Sequence, residues 1–207
     1  MIDAQYCFDR LKESPILTFA TVDNEGNPQV RYISAIHWEK NEMYFYTARG
    51  KNFCSQLLEN KKVQIICYTQ NKEMIRLSAK VNKALDEEQT KYKDLIFNCQ
   101  PYLINVYPGR TREIGIIFHI KDCSIEYFNL GVHPIHRLYF DIGTERHKSK
   151  GFYITDDCIA CGTCMACCPQ GVIDAGDIYS INQNHCLHCG NCYEHCPNDA
   201  IRNLDKE

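Results

Sequence analysis

The sequence predicts a mainly β domain, built as a small barrel, followed by a small α+β domain. Three observations carry this expectation. Up to about residue 130, β-rich runs alternate with turn signals. From Cys158 onward the composition shifts to Cys, Gly, Asn and Asp. The tail then spells one cysteine pattern twice.

The β-rich part begins with "SPILTFATV" (Ser14–Val22), which ends in the turn signal "DNEGNP". "QVRYISAIHW" (Gln29–Trp38) and "MYFYT" (Met43–Thr47) follow as strands around "EKNE". "NFCSQLLEN" (Asn52–Asn60) has helical spacing, with Phe53, Leu57 and Leu58 facing inward. "KVQIICYT" and "MIRLSAKVN" form a hairpin joined at "QNKE". "DEEQTKYKDLIFN" (Asp86–Asn98) is a helix opened by acids and followed by lysines, as the helix dipole favours. "NVYPGRTREIG" reads as a solvated loop, "GIIFHI" and "SIEYFNL" as strands, and part of "HRLYFDI" as a further barrel pairing. About six antiparallel strands with few helices favour a small barrel over a doubly wound sheet. The expected organisation is a barrel domain over residues 1–140, a polar linker over 141–151 and a small domain over 152–207.

Bulk composition narrows the function. The chain has 207 residues, 44% hydrophobic and 24% charged, with a net charge of -3. That is a globular composition without the basic footprint of a nucleic-acid binder. No run is long enough to span a bilayer, and "MIDAQYCFDRLKES" lacks the apolar stretch of a signal peptide. The expected location is the cytoplasm, with neither nucleic acid nor membrane as partner.

Fourteen cysteines in a reducing compartment point to metal rather than disulfides. Five of them (Cys7, Cys54, Cys67, Cys99, Cys123) are scattered singly and read as small buried or half-buried hydrophobes. The rest lie in "CIACGTCMACCPQGVI" and "CLHCGNCYEHCPNDAI", which align without a gap. Cys158 matches Cys186, Cys161 matches Cys189, Cys164 matches Cys192 and Cys168 matches Cys196. Cys167 aligns with His195 and falls outside the shared pattern. Each half is C-x2-C-x2-C-x3-C-P, the bacterial ferredoxin run for [4Fe-4S] clusters, whose fourth cysteine serves the other cluster. One cluster is therefore expected on Cys158, Cys161, Cys164 and Cys196, the other on Cys186, Cys189, Cys192 and Cys168. The resemblance to two-cluster ferredoxins covers about residues 152–204. Four-thiolate zinc sites also use C-x2-C pairs, but rarely three evenly spaced cysteines and a C-P, twice over.

Such clusters move single electrons, so the larger domain is expected to use them. It has no G-x-G-x-x-G after a strand, no P-loop and no C-x-x-C-H haem site. The order of "ILTFATVDNEGNPQVRYISAI", "MYFYTARGKNFCSQLLENKKVQII" and "MIRLSAKV" resembles the pyridoxamine 5′-phosphate oxidase-like FMN-binding split barrels, nearest the nitroimidazole-resistance-type branch. The resemblance covers about residues 5–130. It departs from the family at "ENKKV", where N-P is frequent, and in the ferredoxin that replaces the C-terminal substrate-binding segment of true oxidases.

The resemblance implies a homodimer with FMN at its interface. It places Arg31 and the strand backbone at Tyr32 and Ile33 along the flavin, Thr47 and Lys51 at the phosphate, and Gln56 facing the ring. Arg49, close to Thr47 and to a helix that begins near Lys51, suits the phosphate as well. Arg76 reads as a residue on an exposed strand face, and His37 and His119 as structural. No general acid stands out, and the catalytic residues are unassigned.

The function expected is an FMN-dependent oxidoreductase. Two [4Fe-4S] clusters relay electrons between an external low-potential donor, such as a ferredoxin, and FMN, which reduces a small-molecule acceptor. Nitro compounds, quinones, unsaturated organic acids and free flavins all suit it, and oxygen-sensitive clusters suit an anaerobic host. The alternatives are a non-catalytic electron carrier or redox sensor docking to a protein partner, and a barrel without FMN whose tail is only a structural staple.

Overall fold

Ten strands and four helices lie between Met1 and Ile142 in the computed structural model, which describes residues 1–205. They run α1 (Ala4–Glu13), β1 (Leu17–Val22), β2 (Pro28–Ile33), β3 (Ile36–Glu39), β4 (Glu42–Ala48), α2 (Asn52–Glu59), β5 (Lys62–Tyr68), β6 (Glu73–Lys80), β7 (Asn82–Lys83), α3 (Asp86–Cys99), α4 (Leu103–Val106), β8 (Gly115–Ile120), β9 (Cys123–Asn129) and β10 (His136–Ile142). One sheet has the order β10-β9-β6-β5-β1-β2, the other β3-β4-β8-β7. By contacts the chain divides into two units. The first comprises Met1–Thr69, Ile75–Glu126 and Phe140–Arg146, the second Gln70–Met74, Tyr127–Tyr139 and His147–Glu207.

The turn between β1 and β2 forms where the sequence predicts it. The Asp23 carboxylate accepts from the backbone N–H of Glu25 and of Asn27, and these bonds hold its pKa below the ordinary value. "QVRYISAIHW" is not one strand but two. It breaks at Ser34 and Ala35, where the Ala35 carbonyl accepts from Tyr46 N–H at 3.0 Å, and β2 and β3 enter different sheets. "NVYPGRTREIG" is not a free loop either: it holds the end of α4 and a 3-10 turn at Gly109–Ile114. On α2 Phe53 and Leu57 are buried as expected, whereas Leu58 points outward.

β4 is one of the two inner strands of its sheet and is buried on both faces. Its alternation divides the core. Phe45 packs with Phe19, Phe53 and Phe118 at centroid distances of 5.1 to 6.0 Å. Tyr44 and Tyr46 turn to the other side and pack with Tyr92, Ile96, Phe97 and Ile117. α3, which supplies Tyr92, Ile96 and Phe97, is opened by Asp86, Glu87 and Glu88, and the Glu88 carboxylate accepts from Leu85 N–H.

The second unit contains β11 (Phe152–Ile154), α5 (Thr163–Cys167), β12 (Ile173–Asp174), β13 (Ser180–Ile181), α6 (Asn191–Glu194) and β14 (Ile201–Asn203). β11 pairs with β14 and β12 with β13. Phe152, Cys164, Ile173, Cys192 and Ile201 form its buried group. Among the described residues no helix is long and apolar enough to cross a membrane.

The Tyr46 side chain fills the space beside Gly115, the first residue of β8, where an added Cβ would overlap the ring edge and its hydroxyl. Gly115→Ala is expected to destabilise the protein by about 1–3 kcal/mol, the usual cost of overpacking. A lowered urea midpoint at unchanged slope checks this; an unmoved midpoint means that the ring swings aside freely.

Candidate functional site

Arg31 projects from β2 into a neutral polar network. Its Nη1 donates to Thr21 Oγ1 at 2.7 Å and its Nη2 to Gln56 Oε1 at 3.0 Å. Thr21 donates to the same Gln56 oxygen at 2.6 Å. The guanidinium lies 4.5 Å over the Phe53 ring. Burial pulls the Arg31 pKa down from its ordinary value, and among the described residues no carboxylate pairs with it. β1, β2 and α2 thus bring Arg31 and Gln56 together. Thr21, which the sequence reading passed over, is the buried hydroxyl that joins them. Tyr32 is 77% exposed, and β2 is a sheet edge, so one row of its peptide groups has no strand partner. Ile33 ends that strand.

Thr47, Arg49 and Lys51 lie where β4 runs into α2. Thr47 is buried within the strand opposite Ile116. Arg49 donates its backbone N–H to Ile114 O at 3.0 Å and its Nη1 to Glu113 O at 2.7 Å, which fastens the 3-10 turn to the strand end. Lys51 is the N-cap residue of α2, where no side chain caps the helix. Its ammonium lies 6.0 Å from the Tyr107 ring centroid. Arg49 and Lys51, like Arg31, have no carboxylate partner among the described residues, whereas Arg112 pairs with Asp94 and Lys93 with Glu113. Arg76 does not join the group: it pairs with Glu126 at 2.9 Å.

In the second unit the repeat in sequence is a repeat in backbone. Ala160 and His188 take φ of 53° and 58°, and Gly162 and Gly190 take 81° and 82°. The glycines head α5 and α6 with a conformation that suits a residue without Cβ. Ala160 N–H points to Cys158 Sγ and His188 N–H to Cys186 Sγ, each at 3.4 Å. Two small cavities result. Cys158, Cys161, Cys164 and Cys196 line one, with Ile154, Tyr179 and Ile201. Cys168, Cys186, Cys189 and Cys192 line the other, with Phe152, Val172 and Ile181. Each quartet takes three cysteines from one half of the repeat and the fourth from the other.

The quartets ring their cavities instead of converging on a point, and no three His, Cys, Asp or Glu among the described residues are placed to hold a single ion. Sulfur donors around a dry, apolar-walled space suit an iron–sulfur cubane. Burial pushes Cys164 and Cys186 up and Cys192 up to about 12, while hydrogen bonds from Thr163 draw the exposed Cys161 down. Cys167 lines neither cavity; its thiol donates to Cys164 O. Of the five scattered cysteines four are buried, but Cys99 is exposed at the end of α3.

Comparison with known proteins matches two separate stretches of the chain. Residues 5–97 match the family described as pyridoxamine 5′-phosphate oxidase, and residues 150–198 match the 4Fe-4S dicluster domain. A pyridoxine/pyridoxamine 5′-phosphate oxidase of Edwardsiella ictaluri is 36% identical over 61 residues, which is 30% of this chain and 28% of that protein. A Photorhabdus laumondii protein of the same description is 31% identical over 61 residues, so the chain spans 28% of the length of either relative. Among solved structures, a NimC/NimA family protein from Clostridium acetobutylicum superposes with a TM-score of 0.55 at 21% identity, over 65% of this chain and 89% of that one. A heme binding protein from Mycobacterium smegmatis reaches 0.54 at 9% identity, over 67% of this chain and 57% of that one. At these identities the likeness is one of fold. The chain joins a pyridoxamine 5′-phosphate oxidase-type split barrel, matched over residues 5–97, to a 4Fe-4S dicluster domain, matched over residues 150–198.

Proposed function

We propose that this protein is an FMN- and iron–sulfur-dependent oxidoreductase in which two [4Fe-4S] clusters relay electrons between an external low-potential donor, such as a ferredoxin, and FMN, which reduces a small-molecule acceptor. The observation that carries the reading is the pair of cysteine-ringed cavities, each drawing its fourth thiol from the opposite half of the repeat. When bound, the clusters supply one-electron transfer, and FMN exchanges one-electron for two-electron chemistry. The quartets Cys158, Cys161, Cys164, Cys196 and Cys186, Cys189, Cys192, Cys168 are the ligands in this reading.

The chain's own residues supply binding and orientation. Lys51, Arg49, Thr47 and the uncapped N-terminus of α2 take the FMN phosphate, which needs fixed cations and free N–H groups. Arg31, held by Thr21 and Gln56, lies along the flavin with the β2 backbone at Tyr32 and Ile33. The β2 edge, with Val30 66% and Tyr32 77% exposed, suits cover by a second copy of the chain, which makes the enzyme a homodimer. The relatives matched over 61 residues share only part of this chain, so vitamin B6 oxidation is not carried over from them.

The deciding experiment is an anaerobic reductive titration followed by absorbance and EPR, with flavin, iron and sulfide assayed on the same sample. Electron exchange between FMN and two cubanes is the expected result. Clusters without flavin would make the protein an electron carrier.

Cys196→Ser is expected to lower iron content by about half and to remove one of two cluster signals, although Cys196 lies in the other half of the repeat from Cys158, Cys161 and Cys164. Full iron content in that variant would exclude the crossed ligation. Arg31→Ala is expected to weaken FMN binding about 10- to 100-fold, from the loss of charge-assisted contacts worth about 1.5–3 kcal/mol. Fluorescence titration with FMN measures it, with Arg76→Gln, outside the group, expected to bind normally.

A further inference from the structure

The two cysteine-ringed cavities are related by the repeat but differ in what stands beside them. Arg137, on β10, is the one buried cation of the second unit among the described residues. Its Nε–H donates to the carbonyl of Cys186 at 3.3 Å, and its guanidinium lies 4.4 Å from the centroid of the Phe128 ring. The strand is gripped on either side of the same quartet. Ile135 N–H donates to Gln170 Oε1 at 2.8 Å, next to Pro169 and Cys168. His185, one residue before Cys186, meets Ile135 O through Nδ1 at 2.8 Å, and its ring stacks on His136 with centroids 5.5 Å apart. Among the described residues no buried cation borders the other quartet. The arginine near that end of the unit is Arg202, which is partly exposed, donates to the Asp199 carbonyl and lies 3.9 Å from the exposed Asp157 carboxylate.

We propose that Arg137 makes the two cluster sites electrically unequal, giving the site ringed by Cys168, Cys186, Cys189 and Cys192 the higher reduction potential. This deepens the reading that the quartets hold [4Fe-4S] clusters, and it rests on that reading. A cubane with four thiolates carries a net charge of about −2 when oxidised and about −3 when it has accepted one electron, with no proton taken up. The electron comes from the external low-potential one-electron donor. A fixed cation at a ligand's own peptide favours the more negative state, and burial keeps water from screening it. An electron entering the pair therefore settles at the Cys186 site and leaves the Cys158 site ready for the next.

The test uses the full chain with its clusters, assayed for iron and sulfide and titrated with dithionite and redox mediators under argon, with EPR reading each cluster. Two separate midpoints are expected in the unaltered protein. In R137Q the upper one should fall about tenfold in its reduction equilibrium, about 59 mV for a one-electron couple, with the lower one unmoved. R137K, which keeps the charge but not the planar fork, should restore most of the fall; R202Q should change neither midpoint. If R137Q loads iron poorly, R137K decides alone: an upper midpoint close to the unaltered one supports the inference, and one fallen to the lower midpoint overturns it. Intact clusters with unmoved midpoints in R137Q overturn the inference and leave the cluster reading standing, as does an equal fall of both midpoints that R137K does not restore. Absence of iron and sulfide from the unaltered protein overturns the cluster reading and the inference together.

Discussion

The second unit has too little apolar material to fold around, and its architecture follows from that constraint. The buried cluster between its short strands is Phe152, Cys164, Ile173, Cys192 and Ile201, two of them cysteines. From Phe152 onward its strands are two or three residues long. A domain of this size ordinarily needs a staple. The repeat answers the need geometrically: left-handed residues at matching places turn each loop so that three thiols face one space and the fourth faces the other. Any group held by both quartets then ties the two halves together, and ligand binding and folding become one equilibrium.

The barrel solves the opposite problem. It has core to spare, and β4, buried on both faces, is its fixed element. Because the strand cannot shift, the residues just beyond its end are placed with it. Arg49 and the 3-10 turn at Gly109–Ile114 hold one another there, while Tyr46 donates to Arg112 O from within the strand. Thr21 and Gln56 hold Arg31 through neutral oxygens, which fixes its direction without cancelling its charge. A carboxylate in either place would satisfy the cation and spoil it for a phosphate or a flavin.

Features set by short-range rules were legible in the sequence. The turn at Asp23–Pro28, the helix opened by Asp86, and the cysteine quartets all depend on residues a few positions apart or on an exact repeat. The first helix was equally readable and was passed over. Asp3 caps it and Cys7, Phe8 and Leu11 fall on one buried face. Features set by tertiary partners were not legible. Nothing in "QVRYISAIHW" marks Ser34 and Ala35 as the crossing between sheets, because the reason for the break is the Tyr46 N–H. Arg76 shows its role only once β9 brings Glu126 beside it. Arg137 lies well before the first cysteine of the repeat, in a stretch that reads as one more strand, and no spacing rule connects it to Cys186.

Charge ties the two proposed sites to their cofactors in opposite senses. Around the barrel site Arg31, Arg49 and Lys51 gather positive charge that no carboxylate among the described residues offsets. Around the cavities eight sulfurs gather, and burial, with the neighbouring sulfurs, favours the neutral form of thiols such as Cys192. In the proposed reading a phosphate answers the uncompensated cations, and iron answers the sulfurs once their thiols ionise. A phosphate meets cations already charged at neutral pH. Iron meets thiols that must first lose their protons, so the two sites are expected to load by different chemistry even in a single chain. The same logic gives Arg137 its importance. Once iron has drawn the thiolates into place, the remaining net charge of the site is negative, and a buried guanidinium at one quartet alone is what distinguishes two otherwise repeated sites.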